Sequence, residues 1–318
     1  VKPIFENFAS KAALAAALIA AAAAVHARDE KIVASFHSMA EPFFVEMAKH
    51  ARIEAKRLGV HLVVVDGQSS SPEQMANIEN AVSQGVAGII MAPNDARSLA
   101  YAADDAIDEH IPLITVDRDL IGTTTPVPHV GADNVAGGRM MAELAAKTFP
   151  DGADIVILLG QPGSNTADDR ARGMHETIAR LGPKYRIVAE QTANWARDQG
   201  LTVTQNILTA LTGHPPNVIL GSNDDMALGA LEAIAQAGLR NAGIQVIGFD
   251  AIPDALARVK HGEMLATVEQ DPGRQVRTAL DALVANIREQ TPMHSVAIAP
   301  ILITRDNLGD AARIGEVK

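Results

Sequence analysis

The chain has 318 residues, a formal net charge of −11 and no cysteine. That length can bury two separate cores, and the missing thiols exclude cysteine catalysis, disulfide scaffolds and thiolate metal sites. The acidic balance comes without any Lys/Arg cluster, which argues against a nucleic-acid partner; solubility is reason enough for it.

In chain order, the first segment reads as a secretory signal over residues 1–27. Lys2 and Lys11 precede an Ala/Leu/Ile run from Ala12 to Val25, which ends Val25-His26-Ala27. A basic start, a short apolar middle and small residues at the end are the marks of such a signal. The run is short for a membrane span; the alternative is an Ala-rich buried helix. The mature chain is then expected to be soluble outside the cytoplasm.

From Lys31 onward, short apolar runs alternate with stretches of helical spacing. Ile32–Phe36, Leu62–Val65, Gly88–Met91 and Pro112–Val116 read as strands; Phe43–Leu58, Pro72–Gln84 and Ala96–Glu109 read as helices. The alternation restarts after Asp133, with strands at Ile155–Leu159, Arg186–Glu190, Val218–Leu220 and Val246–Phe249. The helices between them are Thr166–Leu181, Asp198–Leu211 and Met226–Ala237. Strands nearly continuous in Val, Ile and Leu belong to parallel sheets covered on both faces. Two such series predict an α/β fold of two doubly wound parallel-sheet lobes. They meet near Val130–Asn134 without a flexible linker, as a hinge would. From Leu265 the tail has strand, helix (Pro272–Glu289) and strand character, enough to cross back between lobes.

Several strands end in polar groups, and that edge of an open α/β sheet is where small molecules bind. Ser222-Asn223-Asp224 follows Val218–Leu220 and restarts as a capped helix, leaving Asn223 toward a ligand. Asp117-Arg118 follows Ile114-Thr115-Val116, and Asp250 follows Phe249. A carboxylate that accepts and a guanidinium that donates in a fixed fork match vicinal hydroxyls; the alternative for Asp117-Arg118 is a solvated loop pair. Arg172 sits on a helix just after a strand and can donate to ring or hydroxyl oxygens, or else pair with Asp168 or Asp169. Trp195, the only tryptophan, can stack on sugar C–H groups or serve as a packing anchor. Phe43 and Phe44 open the first helix; neighbours point about 100° apart, so one is expected to pack and the other to reach a cleft. His37 and Glu41 bracket the loop after the first strand, as ligand contacts or as solvated loop residues.

Motifs for chemistry are missing. Gly160-Gln161-Pro162-Gly163-Ser164 lacks the Lys of a phosphate loop, no Gly-x-Ser-x-Gly elbow occurs, and the ten histidines show no metal spacing. An enzyme stays open but unsupported by these motifs; the expectation is a binding protein, with neither cofactor nor metal.

Six short motifs occur in one order: Pro42-Phe43-Phe44-Val45, Asp117-Arg118, Asp133-Asn134-x-x-Gly137-Gly138, Asn223-Asp224-x-Met226-Ala227-Leu228-Gly229-Ala230, Gly248-Phe249-Asp250 and Ala266-Thr267-x-x-Gln270. Together they resemble the ribose-binding-protein family, the periplasmic sugar-binding proteins of ABC transporters, from about Lys31 to Thr304. The resemblance implies two lobes joined by three crossings, which close on a sugar. It implies lobes of residues 28–132 plus 271–299 and of 133–270 plus 300–318. It implies hydrogen bonds to the ligand from Asp117, Arg118, Arg172, Asn223, Asp250 and Gln270, and stacking by Phe43, Phe44 and Trp195. Phe249 is expected to be wall. Three departures, His37 for Ser, Glu41 for Asn and Ala92 for Asn, argue against ribose itself. A monosaccharide or sugar alcohol is the implied ligand, an inner-membrane ABC permease the implied partner, and a monomer the expected state. The alternative is a ligand-sensing protein of the same fold, a sugar-responsive regulator or a chemotaxis or quorum-signal receptor.

Overall fold

A computed structural model describes residues 30–317, so the signal expected at residues 1–27 lies outside the described residues. Its strands are β1 (Lys31–Phe36), β2 (His61–Asp66), β3 (Gly88–Met91), β4 (Leu113–Val116), β5 (His129–Ala132), β6 (Ala153–Leu159), β7 (Tyr185–Thr192), β8 (Val218–Gly221), β9 (Gln245–Phe249), β10 (Ala266–Glu269), β11 (Val296–Ile298) and β12 (Ile301–Thr304). Its helices are α1 (Pro42–Leu58), α2 (Ser71–Ser83), α3 (Ala100–Asp108), α4 (Asn134–Thr148), α5 (Asn165–Leu181), α6 (Arg197–Ala210), α7 (Asp224–Gln236), α8 (Pro253–His261) and α9 (Pro272–Glu289).

The strands form two six-stranded sheets, in the orders β11-β5-β4-β3-β1-β2 and β12-β10-β9-β8-β6-β7. Both halves are therefore wound alike: the second strand of each series lies outside the first, and the third lies on its other side. The first sheet is parallel throughout, and only β12 runs antiparallel in the second. Helices cover both faces, so the central strands β3, β4 and β8 are buried along their whole length. That two-sided burial is why they read as nearly continuous apolar runs rather than as alternating ones.

The chain passes between the sheets three times: between β5 and α4, between β10 and α9, and between β11 and β12. Helix α9 returns to pack on α1 and on β3, β4 and β5 of the first sheet. Its apolar face, Val276, Ala279, Leu280 and Leu283, is fully buried.

Two local readings differ from the structure. Helix α3 begins at Ala100, because the Asp95 side chain accepts from the backbone N–H groups of Arg97 and Ser98 and holds residues 95–99 in a turn. Residues Val130–Asn134, read as a join, belong instead to strand β5 and the start of helix α4. The join is thus the start of a helix, capped by Asp133 accepting from Ala136 N.

Candidate functional site

The carboxyl ends of both sheets face each other across one cleft. At its rim the lobes touch: Ala96 N donates to Gly163 O at 2.9 Å, Asp119 N to Asn165 Oδ1 at 2.9 Å, and Gln161 Nε2 to Asn94 Oδ1 at 3.1 Å. Inside lies a small cavity lined by residues of both lobes.

The first lobe supplies Glu41, Phe43, Phe44, Asp117 and Arg118. Pro42 starts α1, with Glu41 in an extended N-cap conformation, so the first helical turn stands at the mouth of the cleft. The two phenylalanines depart from expectation. Both are buried, both belong to the lobe core and both line the cavity, with their rings edge-on at 5.2 Å. A helix end has core on one side and cleft on the other, so residues 100° apart meet both. Asp117 leaves β4 at φ 63, in the left-handed region, which turns its carboxylate into the cavity. Arg118 is nearly fully buried, with its guanidinium 5.5 Å from the Phe44 ring centroid and 5.6 Å from that of Trp195 in the other lobe.

The second lobe supplies Thr166, Arg170, Trp195, Asn223 and Asp250, and Gln270 sits at the β10–α9 crossing. Asn223 caps α7 through Met226 N at 2.9 Å and donates to Trp195 O at 3.0 Å. Trp195 (φ 65) and Asp250 (φ 115) repeat the positive-φ device of Asp117. A side chain at Gly160 would collide with the Trp195 indole, so only glycine lets the ring lie where it does. Asp250 Oδ1 accepts from Gln270 Nε2 at 2.7 Å and stands 3.8 Å from Arg170 Nη1.

Arg172 requires a correction. It is 56% exposed and pairs with Asp169 at 2.8 Å on the outer face of α5. The inward arginine is Arg170, which donates from Nε to Asn134 Oδ1 at 2.8 Å and from Nη1 to Ser222 O at 2.7 Å, with its Cζ 3.7 Å from the Phe249 ring centroid. Helix positions i and i+2 point about 200° apart, so one faces the cleft and the other solvent. Thr166, one turn earlier on the same side, was missed for the same reason. Phe249 is wall, lying under Arg170. His37 is buried and does not line the cavity; its Nε2 lies 2.8 Å from Glu41 Oε1.

The electrostatics follow from burial. Burial raises the Asp117 pKa to about 6 against the opposing pull of Arg118 and Arg170. Burial also pushes Asp250 well above the usual carboxylate range and lowers both arginines. Behind Asp250, Asp224 accepts from Thr267 Oγ1 at 2.7 Å and Ile252 N at 2.9 Å, yet burial carries it to about 8. Asp117 Oδ1 and Arg118 Nε and Nη1 are buried without a hydrogen-bond partner. Buried polar atoms are normally satisfied, so this acceptor and these donors call for groups from outside the protein. No cluster of His, Cys, Asp or Glu among the described residues could hold a metal ion.

The sequence profile of the periplasmic binding protein domain matches residues 32–291. The chain belongs to the periplasmic binding protein family. Members of this family are binding proteins. Among solved structures, the Caulobacter myo-inositol binding protein bound to myo-inositol superposes with a TM-score of 0.90 at 51% identity, covering 92% of this chain and 98% of that one. A solute-binding protein of an ABC transporter from Actinobacillus succinogenes, with bound D-allose, gives 0.82 at 31%, covering 88% and 99%. The ribose import binding protein RbsB of Salmonella typhimurium is 35% identical over 81% of this chain and 85% of its own length.

Proposed function

We propose that this protein captures one neutral ring-shaped polyol, a monosaccharide or a cyclitol with myo-inositol foremost, and delivers it to an ABC permease. The observation that carries the reading is the pair of unpartnered groups, Asp117 Oδ1 and Arg118 Nη1, buried at an interlobe cavity lined by aromatic rings. A hydroxylated ring satisfies both: its O–H groups donate to the carboxylate and accept from the guanidinium. Its C–H faces rest against Phe43, Phe44 and Trp195. An analogue lacking a hydroxyl leaves a buried group unpaired, which is how such a site discriminates. The ligand binds the closed form better than the open one, and that difference drives closure. The permease reads the closed shape, and the protein acts as a periplasmic monomer. The likeness to the Caulobacter protein supports myo-inositol ahead of other polyols, and Glu41, an acceptor-only carboxylate, fits a ring with many O–H donors.

Thermal unfolding against a panel of myo-inositol, ribose, allose, arabinose and xylitol tests this. A ligand at 100 times its Kd stabilises by about 2.7 kcal/mol, and myo-inositol is expected to give the largest shift. A panel without any shift would overturn the reading.

A further inference from the structure

Glu41 faces the cavity, but the cavity does not hold it. Its Oε2 lies 3.9 Å from Arg118 Nη2, beyond hydrogen-bond distance. The close partner is His37, whose Nε2 is 2.8 Å from the other carboxylate oxygen, Oε1. His37 is 1% exposed, at the end of β1, with its ring centroid 5.9 Å from that of Phe44. Packing thus fixes the imidazole, and a fixed imidazole can fix what it bonds.

Resting on the polyol-binding reading, we propose that His37 is a positioning residue: it clamps Glu41 Oε1 and presents Oε2 to the ligand as an acceptor for a hydroxyl. The tautomer follows from the geometry, since a carboxylate only accepts, so Nε2 carries the proton. Burial, and next the charge of Arg118, keep the imidazole pKa below its ordinary value, so at neutral pH the ring has one N–H to donate. A glutamate side chain has several free torsions, and freezing them during folding removes that cost from the binding step. The clamp also sets selectivity. A fixed acceptor rewards an O–H donor at that point of the ring and rejects an ether or carbonyl oxygen there.

A double-mutant cycle on myo-inositol affinity, read by calorimetry, tests the clamp. His37→Leu is expected to weaken binding about tenfold in the wild-type background and to have no further effect in Glu41→Ala. His37→Gln, which keeps a donor, recovers part of the loss. Equal losses in both backgrounds, or no loss in either, would overturn the proposal. If His37→Leu does not fold, His37→Asn goes through the same cycle: a loss confined to the wild-type background supports the clamp, and equal losses or none overturn it. A second arm needs no ligand. Nitrogen-15 spectra of histidine-labelled protein should show His37 as the Nε2–H tautomer, and Glu41→Ala should abolish that preference; an unchanged spectrum overturns the clamp. Asp117→Ala separates the two ideas. If that variant binds myo-inositol like wild type, the polyol site is misassigned, while the spectroscopic arm still decides the clamp.

Discussion

The two walls of the cavity share one strand order and hold their polar groups in opposite ways. In the second lobe, Arg170 is bonded to Asn134 and Ser222, Asn223 to Trp195 and Met226, and Asp250 to Gln270. In the first lobe, Asp117 Oδ1 and Arg118 Nε and Nη1 have no partner. Trp195 Nε1 apart, which is buried without a partner, these groups make the second wall a finished template. The first is completed by what binds. An unsatisfied buried polar group costs about 1–3 kcal/mol, so closing an empty cleft leaves that cost standing, and ligand hydroxyls remove it. The first wall, with its unpartnered carboxylate oxygen and guanidinium nitrogens, is therefore the one that contributes most to making closure depend on ligand.

The largest effect is expected from breaking the template. Arg170→Ala removes the guanidinium 3.8 Å from buried Asp250 and strips Asn134 and Ser222 of their donor. Urea unfolding of the ligand-free protein should show a loss of about 3–5 kcal/mol. Emptying the other wall should act differently. Asp117→Ala should abolish the ligand-induced thermal shift while leaving the ligand-free protein folded; a wild-type shift in that variant would erase the distinction between the walls.

A pH series sharpens the comparison. The Asp117 pKa rises from 3.8 to about 6 on folding. The folded state therefore holds the proton more tightly, and this group's stability contribution, full below 3.8, is lost as pH climbs to about 6. Ligand-free Asp117→Asn should be more stable than wild type at pH 7, by about 1–3 kcal/mol, with the advantage fading below pH 6. An advantage constant from pH 4 to 8 would mean that burial does not penalise this carboxylate. The smallest effect belongs to Arg172→Ala. This exposed arginine pairs only with Asp169 on its own helix, so stability should stay within about 0.5 kcal/mol and the ligand shift should be unchanged.

Much of the fold could be read in advance because two-sided burial leaves an unbroken apolar mark on each central strand. Strand β5 escaped because it is four residues long and contains His129 and Gly131. Helix α8 escaped because nine residues give too few turns for a period. The strand-end polar residues Asp117, Asn223 and Asp250 were visible because each interrupts an apolar run, and all three line the cavity. Their positive or extended backbone angles were not visible: nothing in Asp117, Trp195 or Asp250 as residue types announces φ values of 63, 65 and 115. His37 shows the same limit, since sequence placed it near the ligand and the packed structure puts it one layer behind Glu41.

The sequence by itself determined the alternation of strands and helices, and with it two doubly wound lobes whose strand ends carry acids, amides and arginines. Periodicity and apolar content suffice for that, because burial writes itself locally into the chain. Only the tertiary structure decided which arginine of α5 enters the cleft. Gly138 of α4 lies against the Arg170 backbone so closely that any side chain there would collide with it. That contact sets the rotation of α5 about its axis, turning Arg170 inward and Arg172 to solvent. A helical period fixes the angle between two residues, and the neighbour it packs against fixes which of them faces in.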